Sequence, residues 1–331
     1  MQNISIIGAG AWGTALSILA RRTGKNVTLQ ARETSVINDI NHRRKNSLFL
    51  PGHDLDPHIR ATKSIKESCR DIDALLLVTP AQYLRRTAVI LSESLEKSTP
   101  IVICSKGIEQ GSNMFMSEII NELLPHNPLA VLSGPTFAQE VANNLPTAVT
   151  LACKDFYLGK ELTQMLSTPF FRIYQSTDVI GAEIGGAIKN VLAIACGIAN
   201  GREMGKNAQA ALITRGLAEI IRIAKSKNAK IETLMGLSGI GDLNLTCNAL
   251  QSRNFSLGIA LGQGHALQSI VKDRISIAEG MFSAASVHNL GLQLSIETPI
   301  CSAVHSILNE GADIDEVILN ILNRPFVSET V

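Results

Sequence analysis

One lysine lies in the middle of a segment that offers it almost no polar surroundings. Residues 185–195 read Gly-Gly-Ala-Ile-Lys-Asn-Val-Leu-Ala-Ile-Ala, so Lys189 and Asn190 interrupt a run of small and apolar residues. A helix that is apolar on all sides is buried, and burial lowers the pKa of an ammonium group toward neutrality. Such a lysine can exchange a proton or polarise a carbonyl group. The alternative is a lysine that extends to the surface or pairs with Glu183.

Downstream residues provide groups that bind anions and orient a lysine. Ser252, Arg253 and Asn254 place a hydroxyl, a guanidinium and an amide next to one another. Arginine binds phosphate through two parallel hydrogen bonds, and neutral side chains add further ones; a surface tripeptide is the alternative. Asp242 follows a Gly-Ile-Gly turn. It could hold Lys189 or a substrate hydroxyl, or be only a turn aspartate or a helix N-cap.

Two more candidates follow apolar runs in the first half of the chain. Lys106 comes two residues after the strand-like segment Ile101–Cys104, and ligands of open α/β sheets bind at the carboxyl ends of the strands. There it would bind an anion or polarise a carbonyl, unless it is a surface lysine. Gly134 and the backbone of Thr136, which follow another such run, could form a small nest for an anion or a hydroxyl at a helix start.

The first residues of the chain predict where a cofactor binds. An apolar run at 4–7 is followed by a G-x-G-x-x-G formed by Gly8, Gly10 and Gly13, and then by a helix-like stretch at 15–20. In a dinucleotide site the first glycine permits the tight turn, the second admits the pyrophosphate and the third allows helix and strand to pack closely. The helix N-terminus then attracts the phosphates. The alternative is a glycine-rich structural turn.

The residue after the second strand indicates which dinucleotide is preferred. Arg32 follows the strand-like segment 27–31, and Glu33 comes next. An acidic residue at this position binds the ribose 2′-hydroxyl of NAD, whereas an arginine accommodates the 2′-phosphate of NADP. Arg32 therefore favours NADP(H), and Glu33 keeps NAD(H) possible. A solvated surface pair is the third interpretation.

These residues need a sheet and helices to position them, and the first half of the chain alternates between the two. Helix-like stretches such as Ala81–Leu95 and Met114–Leu124 separate short apolar runs that lack period-2 alternation. Runs of that kind suit strands that are covered on both faces, and hence a largely parallel sheet. The predicted strands are Ile4–Ile7, Val27–Gln30, Ala74–Thr79, Ile101–Cys104, Leu129–Leu132, Ala148–Leu151 and Phe170–Tyr174.

The second half of the chain reads as successive helices. Gly181–Asn200 is a long run of small residues, and Asn207–Lys225 has an amphipathic period; a loop is expected at Leu237–Asp242. The predicted fold is α/β, with an N-terminal Rossmann-like, doubly wound, mostly parallel sheet and a C-terminal all-α domain. We place the dinucleotide-binding domain at 1–177 and the substrate-binding and catalytic domain at 178–331.

The amino-acid composition argues against some classes of binding partner. The 331 residues are 45% hydrophobic and 18% charged, with a net charge of +1 and 4% aromatic residues, so nucleic acid and anionic membranes are not expected as main partners. The most apolar stretches, such as Ala74–Val78, are expected to be too short to span a bilayer. Six scattered cysteines predict buried reduced thiols, and the seven histidines show no spacing typical of a metal site. The N-terminus shows no signal peptide, so a cytoplasmic location is expected.

Taken together, the motifs resemble the bacterial NAD(P)-dependent glycerol-3-phosphate dehydrogenase family. The resemblance covers essentially the full chain, with its motifs in order. Jointly they are specific, although each alone is not. The matching segments are residues 8–15, 105–109, 133–138, 186–191, 241–247 and 252–254.

The resemblance implies reversible reduction of dihydroxyacetone phosphate to sn-glycerol 3-phosphate for phospholipid synthesis, by a homodimer. It implies that Lys189 is the general acid/base, with Lys106 and Asp242 beside it in the catalytic set. Along the cofactor it places Gly8, Gly10, Ala11, Trp12, Gly13, Arg32, Lys106, Ala138, Arg253 and Glu279. Along the substrate it places Lys106, Gly134, Thr136, Lys189, Asp242, Ser252, Arg253 and Asn254.

Two residues depart from the family pattern. Ala11 stands where serine is usual, which removes a hydroxyl near the pyrophosphate, and Thr136 replaces serine but keeps the hydroxyl. Both affect fine cofactor affinity and leave the charged groups in place. Two other functions remain open on the residues alone. One is a dehydrogenase of the same architecture for a β-hydroxyacid or a sugar-acid phosphate, and the other is a sensor of the NADP(H) ratio without turnover.

Overall fold

The apolar runs of the first half form a single sheet. In the computed structural model, which describes residues 1–272, 278–325 and 328, eight strands pair in the order β3-β2-β1-β4-β5-β6-β7-β8. Within this described part, β6 and β7 make the antiparallel pair, and the other pairs are parallel. The strands are β1 Asn3–Ile7, β2 Asn26–Gln30, β3 Ile59–Thr62, β4 Ala74–Leu77, β5 Ile101–Ile103, β6 Leu129–Ser133, β7 Thr147–Cys153 and β8 Phe171–Ser176.

The seven predicted strands are present, and β3 is the strand that the sequence did not predict. Its four residues read Ile-Arg-Ala-Thr, with Arg60 exposed and the other three buried. A short alternating segment at the edge of a sheet carries too few apolar residues to be recognised by composition alone. The doubly wound, mostly parallel sheet is confirmed.

Strand register aligns the carboxyl ends of the central strands. Ile7 is paired with Gln30 on one side and with Leu77 on the other, and Leu77 is paired with Ile103. The residues that follow these strands therefore emerge at one edge of the sheet, where open α/β sheets bind ligands. The helices between the strands are α1 Ala11–Arg22, α2 Thr34–Asn38, α3 Ile65–Ser68, α4 Ala81–Ser92, α5 Met116–Leu123, α6 Ala138–Ala142 and α7 Phe156–Leu166.

The second half is helical, as predicted. Its helices are α8 Val179–Gly201, α9 Gly205–Ser226, α10 Ile231–Leu234, α11 Asp242–Asn248, α12 Arg253–Gly262, α13 Leu267–Lys272, α14 Glu279–Gln293, α15 Pro299–His305 and α16 Ile314–Leu322. The expectation of a loop at Leu237–Asp242 is wrong. Leu237–Gly241 is a π-helical turn that continues directly into α11, so Asp242 is the first residue of a helix.

The chain separates into two compact units, each with its own hydrophobic core. Unit 1 comprises Met1–Ser105 and Met116–Val179, and unit 2 comprises Lys106–Phe115 together with the described residues from Ile180 onward. Within unit 2, Ile108 and Phe115 pair with each other through a bridge and are fully buried in its core. The segment 106–115 thus belongs to unit 2 although three strands of the sheet, β6, β7 and β8, follow it in the chain. The domain boundary that we drew at 177/178 stays a prediction.

Helix α8 forms the centre of unit 2 and packs tightly against α12. A Cβ atom on Gly197 would lie 2.2 Å from the carbonyl oxygen of Phe255, and one on Gly258 would lie 2.2 Å from that of Ile194. Glycine at both positions lets the two backbones touch. Among the described helices, α8 is the one long and apolar enough to cross a membrane, so the expectation that the most apolar stretches are too short to do so is wrong for Val179–Gly201. Of its most apolar window, 89% is buried inside the protein.

The predicted state of the cysteines is confirmed. Cys69, Cys104, Cys153, Cys196, Cys247 and Cys301 all lie within the described residues, and all are buried free thiols.

Candidate active site

Lys189 is buried inside unit 2, as the apolar sequence of α8 predicted. The residue is 6% exposed. Its Nζ donates to Oδ1 of Asp242 at 2.5 Å and to Oγ1 of Thr246 at 2.9 Å. The hydroxyl of Thr246 in turn donates to the backbone carbonyl of Asp242 at 2.7 Å. The ammonium group is therefore oriented by α11, and Glu183 is not the carboxylate that pairs with it.

Asp242 is shared by two lysines. Its second oxygen, Oδ2, accepts from Nζ of Lys106 at 2.6 Å, and its side chain is fully buried while that of Lys106 is 19% exposed. Lys106 is thus a partner of the buried carboxylate and not a surface lysine. With Lys189 the cluster contains two cations and one anion, so it carries a net positive charge that can stabilise a negative charge developing on a substrate.

The surroundings of Lys189 bring its pKa close to neutrality. Burial, which penalises the charged form, is the largest cause, and the nearby charge of Lys106 acts in the same direction. The carboxylate of Asp242 opposes both, and the pKa of Lys189 is lowered from 10.5 to about 8. A group with such a pKa can both donate and accept a proton near physiological pH.

Two glycines hold the turn before α11 in place, Gly185 where the turn meets α8 and Gly239 where the turn meets α10. A Cβ atom on Gly185, four residues before Lys189, would lie 2.2 Å from the carbonyl oxygen of Ser238. A Cβ atom on Gly239 would lie 2.0 Å from the carbonyl oxygen of Leu234. A side chain at Gly185 would push the turn away from α8, which carries Lys189, and one at Gly239 would push it away from α10.

The tripeptide at 252–254 begins helix α12. Ser252 is the N-cap, and its buried Oγ accepts from the backbone N–H of Phe255 at 3.2 Å. Arg253 is the first residue of the helix, and Asn254 is buried with its amide bonded to α8 and α14. Glu279 is the first residue of α14. Contact of any of these residues with substrate or cofactor stays a prediction.

In unit 1 the glycine turn has the geometry that a dinucleotide needs. Gly8 has φ of +112°, and a Cβ atom there would lie 2.9 Å from the carbonyl oxygen of Val78. A Cβ atom on Gly13 would lie 1.9 Å from the carbonyl oxygen of Gly8, so the helix can pack here only with glycine. At Gly10, by contrast, no heavy atom of the described residues beyond its own chain neighbours lies within 4 Å of that position. Gly10 is also the N-cap of α1 and makes no side-chain cap bond to the first N–H groups of the helix. Uncapped N–H groups at a helix N-terminus are the groups that bind a pyrophosphate.

Asn46 supports this turn and was missed by the sequence analysis. It is 1% exposed, and its Nδ2 donates to the carbonyl oxygen of Ala9 at 2.9 Å and to Oγ1 of Thr14 at 2.8 Å. Thr14 donates to the carbonyl oxygen of Gly10 at 2.9 Å. A single asparagine about thirty residues beyond the motif has no local signal, so only the fold reveals its role.

Arg32 and Glu33 pair with each other after β2. Nε and Nη2 of Arg32 donate to Oε1 of Glu33 at 3.0 and 2.8 Å, and the arginine side chain is 80% exposed. The guanidinium is thus accessible at the sheet edge, but a carboxylate lies beside it. Both cofactor interpretations therefore still apply to this position.

The structure differs from the expectation that Gly134 and Thr136 form an anion-binding nest at a helix start after β6. Helix α6 begins at Ala138 with Phe137 as its N-cap, so the expectation that Thr136 lies at a helix start is wrong by two residues. The hydroxyl of Thr136 donates to the carbonyl oxygen of Gly134 at 3.2 Å. Gly134 has φ of +146° and packs against β7, where a Cβ atom would lie 2.9 Å from Cα of Val149. Glycine at 134 is thus explained by packing.

Comparison with known families decides between the dehydrogenases that share this architecture. The family described as NAD-dependent glycerol-3-phosphate dehydrogenase N-terminus matches residues 3–158, and the one described as its C-terminus matches residues 178–319. The chain belongs to the NAD-dependent glycerol-3-phosphate dehydrogenase family. The predicted resemblance is therefore confirmed over both halves of the chain.

Individual members of the glycerol-3-phosphate dehydrogenase family match over nearly their full length. Glycerol-3-phosphate dehydrogenase [NAD(P)+] of Rhodospirillum rubrum is 52% identical over 325 residues, which are 98% of this chain and 93% of that protein. The enzyme of the same name from Caulobacter vibrioides is 48% identical, with 99% of each chain covered. The crystal structure of glycerol-3-phosphate dehydrogenase from Coxiella burnetii superposes with a TM-score of 0.94 at 37% identity, covering 98% of this chain and 99% of that one.

Proposed function

We propose that this member of the family is an NAD(P)-dependent sn-glycerol-3-phosphate dehydrogenase, which reversibly reduces dihydroxyacetone phosphate to sn-glycerol 3-phosphate. The observation that carries the proposal is the buried carboxylate of Asp242 between Lys106 and Lys189. The printed names of the relatives support the same activity and both cofactors. An intact lysine cluster also argues against a sensor without turnover.

The cofactor would be held by the glycine turn of unit 1. The open space at Gly10, the uncapped start of α1 and the support from Asn46 fit a pyrophosphate there. When bound, a reduced nicotinamide supplies a hydride to a carbonyl carbon. Arg32 supports a preference for NADP(H), because its guanidinium can bind a 2′-phosphate; NAD(H) is also accepted, because Glu33 partly neutralises that guanidinium.

Lys189 completes the reduction by proton transfer. As charge grows on the oxygen of the substrate carbonyl, Lys189 donates a proton to it, and the positive charge of Lys106 stabilises it before transfer. Asp242 keeps Lys189 protonated in spite of its burial and remains paired with Lys106 after the proton has left. In the oxidative direction the neutral Lys189 accepts the proton from the alcohol.

Arg253, with Ser252 and Asn254, would bind the phosphate of the substrate. A guanidinium at the first residue of α12 adds to the positive potential of the helix N-terminus, and both favour a dianion. Gly134 and Thr136 of unit 1 complete the proposed substrate set, and Trp12, Ala138 and Glu279 the proposed cofactor set.

The resemblance also supports proposals about the metabolic role, the cellular location and the oligomeric state of the enzyme. We propose that its product, sn-glycerol 3-phosphate, supplies glycerophospholipid synthesis, as the resemblance implies. A cytoplasmic location agrees with the near-neutral charge and the six free thiols. A homodimer is proposed from the family alone.

The test is a measurement of nicotinamide absorbance after dihydroxyacetone phosphate is added, with NADPH and NADH in parallel. We expect rapid loss of absorbance with NADPH, and kcat about 100-fold lower or more for Lys189→Ala. Asn200→Ala, an exposed substitution on the same helix, is the matched control and should retain full activity. No loss of absorbance with either cofactor would refute the proposal, and the assay would then turn to β-hydroxyacids.

A further inference from the structure

Three helices of unit 2 are joined by a buried chain of amide hydrogen bonds. Nδ2 of Asn254 donates to Oδ1 of Asn190 at 3.0 Å, and Oδ1 of Asn254 accepts from the backbone N–H of Gly280 at 3.0 Å. Asn190 is 7% exposed and Asn254 is 8% exposed, and Gly280 is also buried. We call the three residues the amide relay. It connects α8, α12 and α14.

The direction of the relay is determined by its backbone end. The N–H of Gly280 can only donate, so Asn254 must turn its carbonyl oxygen toward it. The NH₂ group of Asn254 then faces α8, and Asn190 must present its own carbonyl oxygen to it. Each asparagine therefore has one orientation, and neither can be replaced by a residue that lacks the required donor or acceptor.

Close packing restricts the position of Gly280, the residue at which the relay ends. A Cβ atom on Gly280 would lie 2.6 Å from the backbone carbonyl oxygen of Asn190 and 2.8 Å from Oδ1 of Asn254. The start of α14 thus touches α8 directly, and glycine is required for that approach. The relay is rigid because its members are both hydrogen-bonded and closely packed.

Every relay residue directly follows a residue of the candidate site. Asn190 follows Lys189, Asn254 follows Arg253, and Gly280 follows Glu279. A change in the relay therefore displaces the backbone from which these three side chains extend. A displacement of about 1 Å at a catalytic group can reduce a rate about 100-fold.

We propose that Asn190 is a positioning residue of the reaction, which acts through Asn254 to hold Arg253 and the first turn of α14 at a set distance from Lys189. The inference rests on the proposed function, since it assigns Arg253 to the substrate phosphate. Asn254 retains a second N–H for the substrate, so a role in the relay and one in binding are compatible.

The test is a double-mutant cycle of Asn190→Ala and Asn254→Ala, measured as kcat/KM for dihydroxyacetone phosphate and for unphosphorylated dihydroxyacetone. We expect Asn190→Ala to reduce kcat/KM for the phosphorylated substrate about 10- to 100-fold, since a buried amide loses its partner. The reduction for the unphosphorylated substrate should be much smaller, because Arg253 has no phosphate to bind there. The double variant should be no more than about threefold worse than Asn254→Ala alone, because residues of one network are not additive.

Thermal unfolding of the same four proteins separates a positioning role from a structural one. A purely structural role would lower the melting temperature and reduce activity toward both substrates equally, and that outcome would overturn the proposal. So would additive losses in the cycle. Asn200→Ala on the exposed side of α8 controls for loss of an asparagine from this helix. A wild-type protein that reduces neither substrate would refute the proposed function instead, and the relay would then be accepted or rejected on the coupling of the two substitutions in unfolding.

Discussion

Asp242→Asn should shift the pH at which the protein loses its ability to reduce dihydroxyacetone phosphate. In the wild type Lys189 must be protonated to donate, and its pKa is about 8. The value of kcat/KM for reduction should therefore fall as the pH rises through about 8. Oxidation of glycerol 3-phosphate needs the neutral lysine, so its rate should rise over the same interval.

The size of the shift follows from what the carboxylate contributes. Asp242 is fully buried, and its Oδ1 lies 2.5 Å from Nζ of Lys189. A hydrogen bond to a charged group contributes about 1.5–3 kcal/mol, and one pKa unit corresponds to about 1.36 kcal/mol. Asparagine keeps the shape but removes the charge that raises the pKa of Lys189. The pKa should thus fall by about one to two units, and the loss of reduction should move to about pH 6–7.

Lys106→Met is the matched variant, and it should shift the pKa of Lys189 in the opposite direction. The charge of Lys106 lowers the pKa of Lys189, so its removal should move the loss of reduction to a pH above that of the wild type. The assay is NADPH absorbance from pH 5.5 to 9.5, with kcat/KM at each pH. Titration of the substrate phosphate is common to all three proteins and cancels in their ratios. Shifts of the same sign in both variants, or no shift in Asp242→Asn, would refute the electrostatic reasoning.

Two further predictions concern the cofactor residues of unit 1. Gly10→Ala should leave the melting temperature unchanged, because the added methyl meets no described atom beyond its chain neighbours, but it should weaken NADPH binding in a fluorescence titration. Gly13→Ala should prevent folding of the turn, because its methyl would lie 1.9 Å from the carbonyl oxygen of Gly8. Equal melting temperatures for the two variants would contradict this account. Glu33→Ala removes the carboxylate that pairs with Arg32, so the ratio of kcat/KM with NADPH to kcat/KM with NADH should rise several-fold. The melting temperature should stay unchanged, because ion pairs at the protein surface contribute little to stability. A constant ratio would show that Glu33 does not influence cofactor choice.

The lysine cluster explains how a buried site can hold two cations. Burial and the nearby charge of Lys106 both lower the pKa of Lys189. Asp242 raises the pKa of Lys189 through one carboxylate oxygen and pairs with Lys106 through the other. Because burial and Lys106 act against Asp242, the pKa of Lys189 lies near neutrality and not near that of a free lysine.

Much of the fold was predictable because it depends on local patterns. Short apolar runs and the G-x-G-x-x-G motif lie within a few residues of one another, and the period of hydrophobicity reports burial directly. Burial of Lys189 could be predicted in the same way, since its neighbours in α8 leave the side chain no polar face. By contrast, β3 was missed because an edge strand of four residues has too little pattern.

What the sequence by itself determined is thus the type of most elements, the glycine turn between β1 and α1, and the direction in which the pKa of Lys189 moves. Only the tertiary structure decided which groups surround Lys189. Asp242 lies 53 residues from Lys189 and 136 residues from Lys106 in the chain, so no local pattern connects the three. The same holds for the relay, where Asn190 and Asn254 are 64 residues apart. Hydrogen bonds of this kind depend on which helices become neighbours, and that is decided by close approach at glycines such as Gly185 and Gly280, whose significance no local pattern reveals.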